Sequence, residues 1–113
     1  MVGNLIKLHK IDFYIPLYFN DGTTIDADIQ DTTKTELINI FGGLTEVNNI
    51  NGYWINDKQL YTDRDIILSV VTDIKILDNG QTLIEFLVEY KTILENRYKQ
   101  KEIFITRQEI DII

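Results

Sequence analysis

The sequence predicts one α+β domain with a ferredoxin-like βαββαβ order, an antiparallel sheet and two helices on one face of that sheet. Apolar and polar residues alternate near the start of the chain, as in a strand, and an apolar stripe at helical spacing follows residue 82. Between them lie a short helix and two strand-like segments. Right-handed crossovers turn this order into the split βαβ arrangement. With 113 residues, the chain has the length of a single domain, 1–113.

The first strand is predicted at residues 11–19. The odd positions from Ile11 to Phe19 are apolar and fall on one face at period two, whereas most even positions are polar or aromatic. Pro16 is the only proline of the chain and supplies no backbone donor. We therefore expect a sheet edge or a bulge close to Pro16.

Two helices are predicted. The first runs from Thr33 to Phe41, because Thr33 and Glu36 have the spacing of a capping box and Gly42 is a natural terminator. The second covers about 83–98, where apolar residues recur at helical spacing.

A hairpin is predicted between the helices. The segment 52–55 forms its first arm and carries Trp54, residues 56–59 form a turn, and strand-like residues resume at 60–61 and 66–72. The last strand is predicted at 102–106, with a further short strand at 107–110.

The composition excludes several classes of chemistry. The chain has no cysteine, which removes disulfides, thiolate catalysis and zinc sites that use sulfur. His9 is its only histidine, which excludes a two-histidine metal site within one chain, and no Ser-His-Asp triad is evident in the sequence. We predict no metal, no cofactor and no catalytic residue. The start of the chain lacks signal-peptide features, so we expect a cytoplasmic protein without a membrane span.

The net charge is −7, from 18 acidic and 11 basic residues. A phosphate backbone would have to bind against this charge, which disfavours direct contact with nucleic acid. Net charge of this size also keeps small domains soluble, and that explanation needs no partner.

The hairpin carries most of the candidate ligand-binding residues. Tyr53 and Trp54 could stack on a ligand, although Trp54 could equally be a core residue. Tyr61, Asp63 and Arg64 could form a small polar site in which the acid acts as a base and Arg64 clamps an anion. The alternative is an exposed hairpin end with local ion pairs.

Two further polar features are weighed in the same way. The turn Gly42-Gly43-Leu44-Thr45 could present N–H groups to an anion, with Thr45 beside it, although a helix C-cap explains the glycines without a ligand. Four acids precede the predicted first helix, but their spacing does not match a calcium-binding loop, and we expect solvated loop or edge charges. These acids are Asp21, Asp26, Asp28 and Asp31.

A resemblance rests on Gly42-Gly43-Leu44-Thr45, Gly52-Tyr53-Trp54, Asp63 and Gln100. This pattern resembles a group of short bacterial and phage proteins of unassigned function, over about residues 11–105. The resemblance implies no activity. An excess of Ile, Asn, Lys and Asp over Ala, Arg and Gly would suit a Firmicute or its phage.

Three functional hypotheses follow. The first is a non-enzymatic binding or inhibitor protein of a phage or mobile element. It would act in counter-defence, either by binding a host protein or by sequestering a small ligand. The second is a small ferredoxin-like enzyme with a pocket at a dimer interface. The third is a structural or assembly subunit that uses Tyr14, Tyr18 and the tail 110–113 as contacts. The predicted partners are a protein or a small molecule, and a homo-oligomer is expected.

Overall fold

The computed structural model describes residues 6–113. Its strands lie in the order β2-β3-β1-β4, and each neighbouring pair is antiparallel. This α+β architecture is consistent with the predicted ferredoxin-like fold. In chain order, the elements are β1 (Ile6–Pro16), α1 (Ala27–Phe41), β2 (Thr45–Asn56), β3 (Gln59–Thr72), α2 (Leu83–Arg97) and β4 (Ile105–Ile112).

The core lies between the sheet and the two helices. Phe13 of the central strand β1 pairs with Leu68 of β3 and Ile105 of β4, and it meets the ring of Tyr90 from α2 edge-on at 5.9 Å. Period-two alternation places the odd residues of β1 on this side of the sheet. Both helices contribute to the same apolar cluster, so they share one face of the sheet, as predicted. The cluster includes Ile11, Phe13, Ile15, Leu37, Leu68, Val70, Leu87, Tyr90, Leu94 and Tyr98.

Helix α1 is longer than the sequence analysis predicted. It begins at Ala27 with Asp26 as N-cap, so the predicted start at Thr33 is wrong. Thr33 is a buried interior residue whose hydroxyl donates to the carbonyl of Ile29, as threonine often does inside a helix. Asp28 lies in the first turn of α1, where the helix dipole favours an acid, and not in a loop or edge strand.

Helix α2 agrees with its prediction, and its N-cap is Thr82. Thr82 accepts a hydrogen bond from the Glu85 backbone N–H at 3.1 Å, and its hydroxyl donates to the Glu85 carboxylate at 3.1 Å. This reciprocal pair is a capping box. The capping chemistry assigned to Thr33 and Glu36 therefore occurs at Thr82 and Glu85.

A polar network joins α1 to the end of α2. The Arg97 guanidinium donates to the Thr33 hydroxyl at 2.9 Å and forms an ion pair with Glu36. The buried Tyr98 hydroxyl lies 2.8 Å from the same Thr33 oxygen and donates to Gln30 at 2.9 Å. Thr33 is fully buried, so its hydroxyl requires hydrogen-bond partners, and the Arg97–Glu36 ion pair adds a second link between the two helices.

Gly42 ends α1 with φ of 81°, and its N–H donates to the Ile38 carbonyl at 2.7 Å. Only glycine adopts this left-handed conformation at low cost. We expect Gly42→Ala to lower the free energy of unfolding by about 1 kcal/mol. Gly43→Ala is the matched control, since Gly43 has open space around its Cα and no positive φ. Urea denaturation of both variants checks this, and equal losses would contradict it.

The strands after the first helix are longer and fewer than predicted. Strand β3 is continuous, so the predicted segments 60–61 and 66–72 belong to one strand, and β4 likewise replaces the two short strands predicted at 102–110. The hairpin with Trp54 on its first strand is confirmed. In β2, a bulge between Val47 and Ile50 contains Asn49 with φ of 60°.

Pro16 lies where the prediction expects it. Pairing of β1 with β4 has ended by Phe13, whereas pairing with β3 continues to Pro16. The missing N–H therefore costs no ladder hydrogen bond on the β4 side. Within residues 6–113, no helix has the length and hydropathy needed to cross a membrane.

Candidate functional site on the open face of the sheet

The side of the sheet away from the helices is called the open face here. Since Leu68 faces the helices, alternation places Ser69, Ile67 and Asp65 on the open face, and the same alternation continues along β3 to Asp63 and Tyr61. A single long strand thus aligns an aromatic residue, two acids and a hydroxyl on one surface.

Trp54 and Tyr61 are a directly paired, cross-strand couple at the outer end of this surface. Their rings stack with centroids 5.6 Å apart and planes at 16°. Trp54 is 46% exposed and Tyr61 is 38% exposed, so the alternative of a core tryptophan is wrong. Each ring therefore keeps surface for a planar ligand, and the stack holds both rings in place.

Two acids follow the aromatic pair along β3. Burial raises the pKa of the Asp65 carboxyl to about 6, and the neighbouring Asp63 carboxylate adds to the effect. Burial also raises the pKa of Asp63. The cause is positional, because Asp65 lies between Pro16 of β1 and Ile50 of β2, which replace water on both sides. Neither acid has a cation beside it in the described part of the chain that would offset this loss of hydration.

A polar row crosses all four strands next to the acids. The register aligns Thr45, Ser69, Asp12 and Thr106 on the open face. Asp12 is only 9% exposed, and its Oδ2 accepts from the Lys10 ammonium at 3.2 Å. Its Oδ1 is buried without a hydrogen-bond partner among the described residues. The sequence analysis missed Asp12, although an acid in the middle of an apolar strand was a usable signal.

The predicted site residues do not all come together. Trp54, Tyr61 and Asp63 share the open face, and Thr45 lies on it further along the sheet. Tyr53 and Arg64 lie on the helix side of the hairpin, because successive residues of a strand face opposite ways. The structure therefore does not form the Asp63–Arg64 anion clamp. Nor does it form the alternative of local ion pairs, since no ion pair of residues 6–113 includes Arg64.

Residue types that bind metal ions are not clustered among residues 6–113. Among residues 6–113, no group of three or more His, Cys, Asp or Glu side chains could hold a metal ion. His9 belongs to β1, where it pairs with Thr72 and Glu109, and its Nδ1 is buried without a hydrogen-bond partner. The open face thus offers aromatic rings, carboxylates and hydroxyls.

Comparison with known proteins places the fold. No family model and no curated protein matches the chain. A phage SAM lyase in complex with S-methyl-5'-thioadenosine is similar in structure, with a TM-score of 0.58 and 16% sequence identity over 99% of this chain and 95% of that one. A phage SAM lyase in the apo state gives a TM-score of 0.50 at 16% identity, over 99% and 92% of the two chains. These two similarities show that the chain shares the fold of the phage SAM lyase.

This finding corrects the leading functional hypothesis. The sequence analysis favoured a non-enzymatic binding or inhibitor protein, and it leaned away from catalysis because no nucleophile-base pair was visible. That hypothesis is contradicted, because both solved structures that match almost the whole chain are of an enzyme, a phage SAM lyase.

Proposed function

We propose that this protein is a small enzyme that cleaves S-adenosylmethionine and releases S-methyl-5'-thioadenosine. The observation that carries the proposal is the match of nearly the whole chain to a phage SAM lyase that holds this thioadenosine. Fold alone does not define a reaction. The chemistry of the open face therefore supplies the second line of support.

The reaction makes modest demands on a protein. The bond between the sulfonium sulfur and the γ-carbon of the methionyl chain breaks, and its electron pair stays on sulfur. The sulfur leaves as a neutral thioether, so no general acid has to protonate it. The γ-carbon receives electrons either from the substrate's own carboxylate or from a β C–H bond, whose proton then needs an acceptor. An active site without a nucleophile-base pair is compatible with this chemistry.

The open face carries groups suited to such a substrate. The stacked Trp54 and Tyr61 rings are a platform for adenine, since every base has a face that stacks on aromatic side chains. Asp63 and Asp65 would attract the positively charged sulfonium end. With a pKa of about 6, Asp65 is mostly ionised at neutral pH and could also accept a proton. The net charge of −7 favours the approach of a cation.

Four further predictions from the sequence analysis gain support: the fold assignment, the origin, the class of ligand and the oligomeric state. The βαββαβ order supports assignment to the ferredoxin-like fold. The phage source of the structural neighbours supports an origin in a phage or mobile element. A small-molecule ligand agrees with the thioadenosine bound to the neighbour. Exposed apolar residues on the sheet support a homo-oligomer.

Incubation of the purified protein with S-adenosylmethionine tests the proposal. We expect S-methyl-5'-thioadenosine to accumulate, as measured by liquid chromatography and mass spectrometry. The four-carbon product distinguishes a lactone, formed by the substrate carboxylate, from an unsaturated amino acid, formed by proton loss. S-Adenosylhomocysteine is the substrate control, because its sulfur is uncharged and should not leave.

A matched pair of variants ties the activity to the open face. Trp54→Ala should raise KM about tenfold or more, since loss of a base-stacking ring costs about 1–3 kcal/mol. Ile55→Ala should leave KM unchanged, because Ile55 lies on the other face of the hairpin and is 73% exposed. Folded wild-type protein that releases no thioadenosine between pH 6 and 8 would refute the proposed reaction.

A further inference from the structure

A cavity of about 450 Å³ opens on the helix side of the molecule, away from the open face of the sheet. Its walls are the end of α1, the helix α2 and residues 73–82 between β3 and α2, which are called the connecting loop here. Small-molecule sites usually have volumes of roughly 300–1,000 Å³. The cavity is therefore large enough for a compact organic ligand.

The connecting loop is held in shape by its own hydrogen bonds. The Leu77 N–H donates to the Gln81 carbonyl at 2.8 Å, and the Leu83 N–H donates to the Lys75 carbonyl at 2.9 Å. The Asn79 side chain adds two bonds, because its Oδ1 accepts from the Gln81 N–H at 2.9 Å and its Nδ2 donates to the Gln81 Oε1 at 2.8 Å. This wall forms without a ligand, so binding would cost little conformational entropy there.

Much of the cavity lining is apolar. Phe86 contributes to it, and its ring stacks on that of Tyr90 with centroids 5.2 Å apart. Ile76 of the connecting loop is 65% exposed and Ile93 of α2 is 41% exposed, and both line the cavity. A ligand with an apolar body would remove this surface from water, which is favourable.

The charges of the cavity are both negative. Among the described residues that line it, Asp78 of the connecting loop and Glu89 of α2 are the charged ones. The Gln81 amide donates to the Glu89 carboxylate and so holds this acid beside the loop. Neither acid belongs to an ion pair in the described part of the chain. Their negative charge is therefore left for a ligand to neutralise.

We propose that this cavity binds a small organic cation, an ammonium compound with an apolar body. Its positive group would meet the carboxylates of Asp78 and Glu89, and its carbon skeleton would lie against Ile76 and Ile93. The Phe86 ring adds to the attraction, because aromatic faces attract cations. An anion would be repelled by both acids. The site lies on the side of the sheet opposite the open face, so this inference does not rest on the proposed function.

A nuclear magnetic resonance titration of the ¹⁵N-labelled full chain with cyclohexylmethylammonium chloride tests the proposal. We expect saturable shift changes that centre on backbone amides of the connecting loop. Cyclohexylmethanol has nearly the same shape without the charge, and it should bind about fivefold more weakly. Absence of saturable changes, equal affinity for the two compounds, or changes centred on Trp54 and Asp63 of the open face would each overturn the proposal.

A matched pair of variants tests the role of the acid. Asp78→Asn should weaken binding of the ammonium compound about three- to fivefold, because an exposed ion pair contributes modestly. Asp73→Asn is the control and should bind as the wild type does, since Asp73 is an exposed acid of the same loop that does not line the cavity. Equal affinities of the two variants would contradict the assignment.

Binding is measured without S-adenosylmethionine, which keeps the two proposals distinguishable. A protein that releases thioadenosine but does not bind the ammonium compound rejects only this inference. An inactive protein that binds the compound in this cavity rejects only the proposed function.

Discussion

Asp65→Asn is expected to lower kcat/KM for release of S-methyl-5'-thioadenosine by about 10- to 100-fold and, at the same time, to stabilise the protein at neutral pH. The loss of activity follows from removal of a charged partner of the sulfonium, since hydrogen bonds and contacts to charged groups contribute about 1.5–3 kcal/mol. The gain in stability follows from removal of a carboxylate that the fold keeps half-buried beside Asp63. Opposite signs for activity and stability are typical of a functional residue.

The stability effect depends on pH in a defined direction. The pKa of Asp65 is about 6 in the fold, above the ordinary value of 3.8. The folded state therefore holds its proton to higher pH than the unfolded state does, and stability falls as pH rises from about 4 to about 6. Asp65→Asn and the wild type should have similar melting temperatures near pH 4. Above pH 7 the variant should melt roughly 3–6 °C higher, for about 1 kcal/mol after solvent screening.

Thermal melts between pH 4 and 8, together with the thioadenosine assay, check both halves of this prediction. Asp57→Asn is the control, because Asp57 lies in the hairpin turn with φ of 50°, a conformation that asparagine also tolerates. It should change neither activity nor the pH profile. A difference between Asp65→Asn and the wild type that does not vary with pH would show that titration of Asp65 is not its cause.

Phe13→Ala is expected to produce the largest loss of stability, about 3–5 kcal/mol. The Phe13 side chain is fully buried, packs edge-on against Tyr90 and lies in the central strand of the sheet. Its removal leaves a cavity that neighbours on two other strands and a helix cannot easily fill. Such a loss is a large part of the 5–15 kcal/mol by which domains of this size are usually stable.

Chemical denaturation of Phe13→Ala and Phe104→Ala measures this effect. Phe104 precedes β4 and is 66% exposed, so its truncation should cost less than about 0.5 kcal/mol. The two changes delete the same atoms, and only their surroundings differ. If both variants lost similar free energy of unfolding, burial of the phenylalanine would not be what determines the size of the loss.

The functional hypothesis failed because the relevant information is not in any short motif. The similar SAM lyase shares the fold of this chain at only 16% sequence identity. Absence of a nucleophile-base pair argued against an enzyme. Cleavage of a sulfonium, in which the leaving group is already activated, does not need that pair.

The sequence alone determined the class of the fold and most of its element order, because periodicity is a local property. Alternation along β1, the helical stripe of α2 and the glycine after α1 each depend on residues close in the chain. The start of α1 was misjudged for the same reason, since Thr33 and Glu36 imitate a local cap while their partners, Arg97 and Tyr98, are more than sixty residues away.

Only the tertiary structure decided which candidate residues share a surface. The sequence analysis paired Tyr53 with Trp54 and Asp63 with Arg64, but strand alternation places the two members of each pair on opposite faces. Asp12 lies on the open face because it pairs with Ser69, which is distant in sequence. Burial, with a smaller effect of Asp63, raises the pKa of Asp65, and this residue is paired with Pro16 and Ile50 of two other strands. Pairing across the sheet is a long-range property, and it sets both the composition of a surface and the hydration of the charges on it.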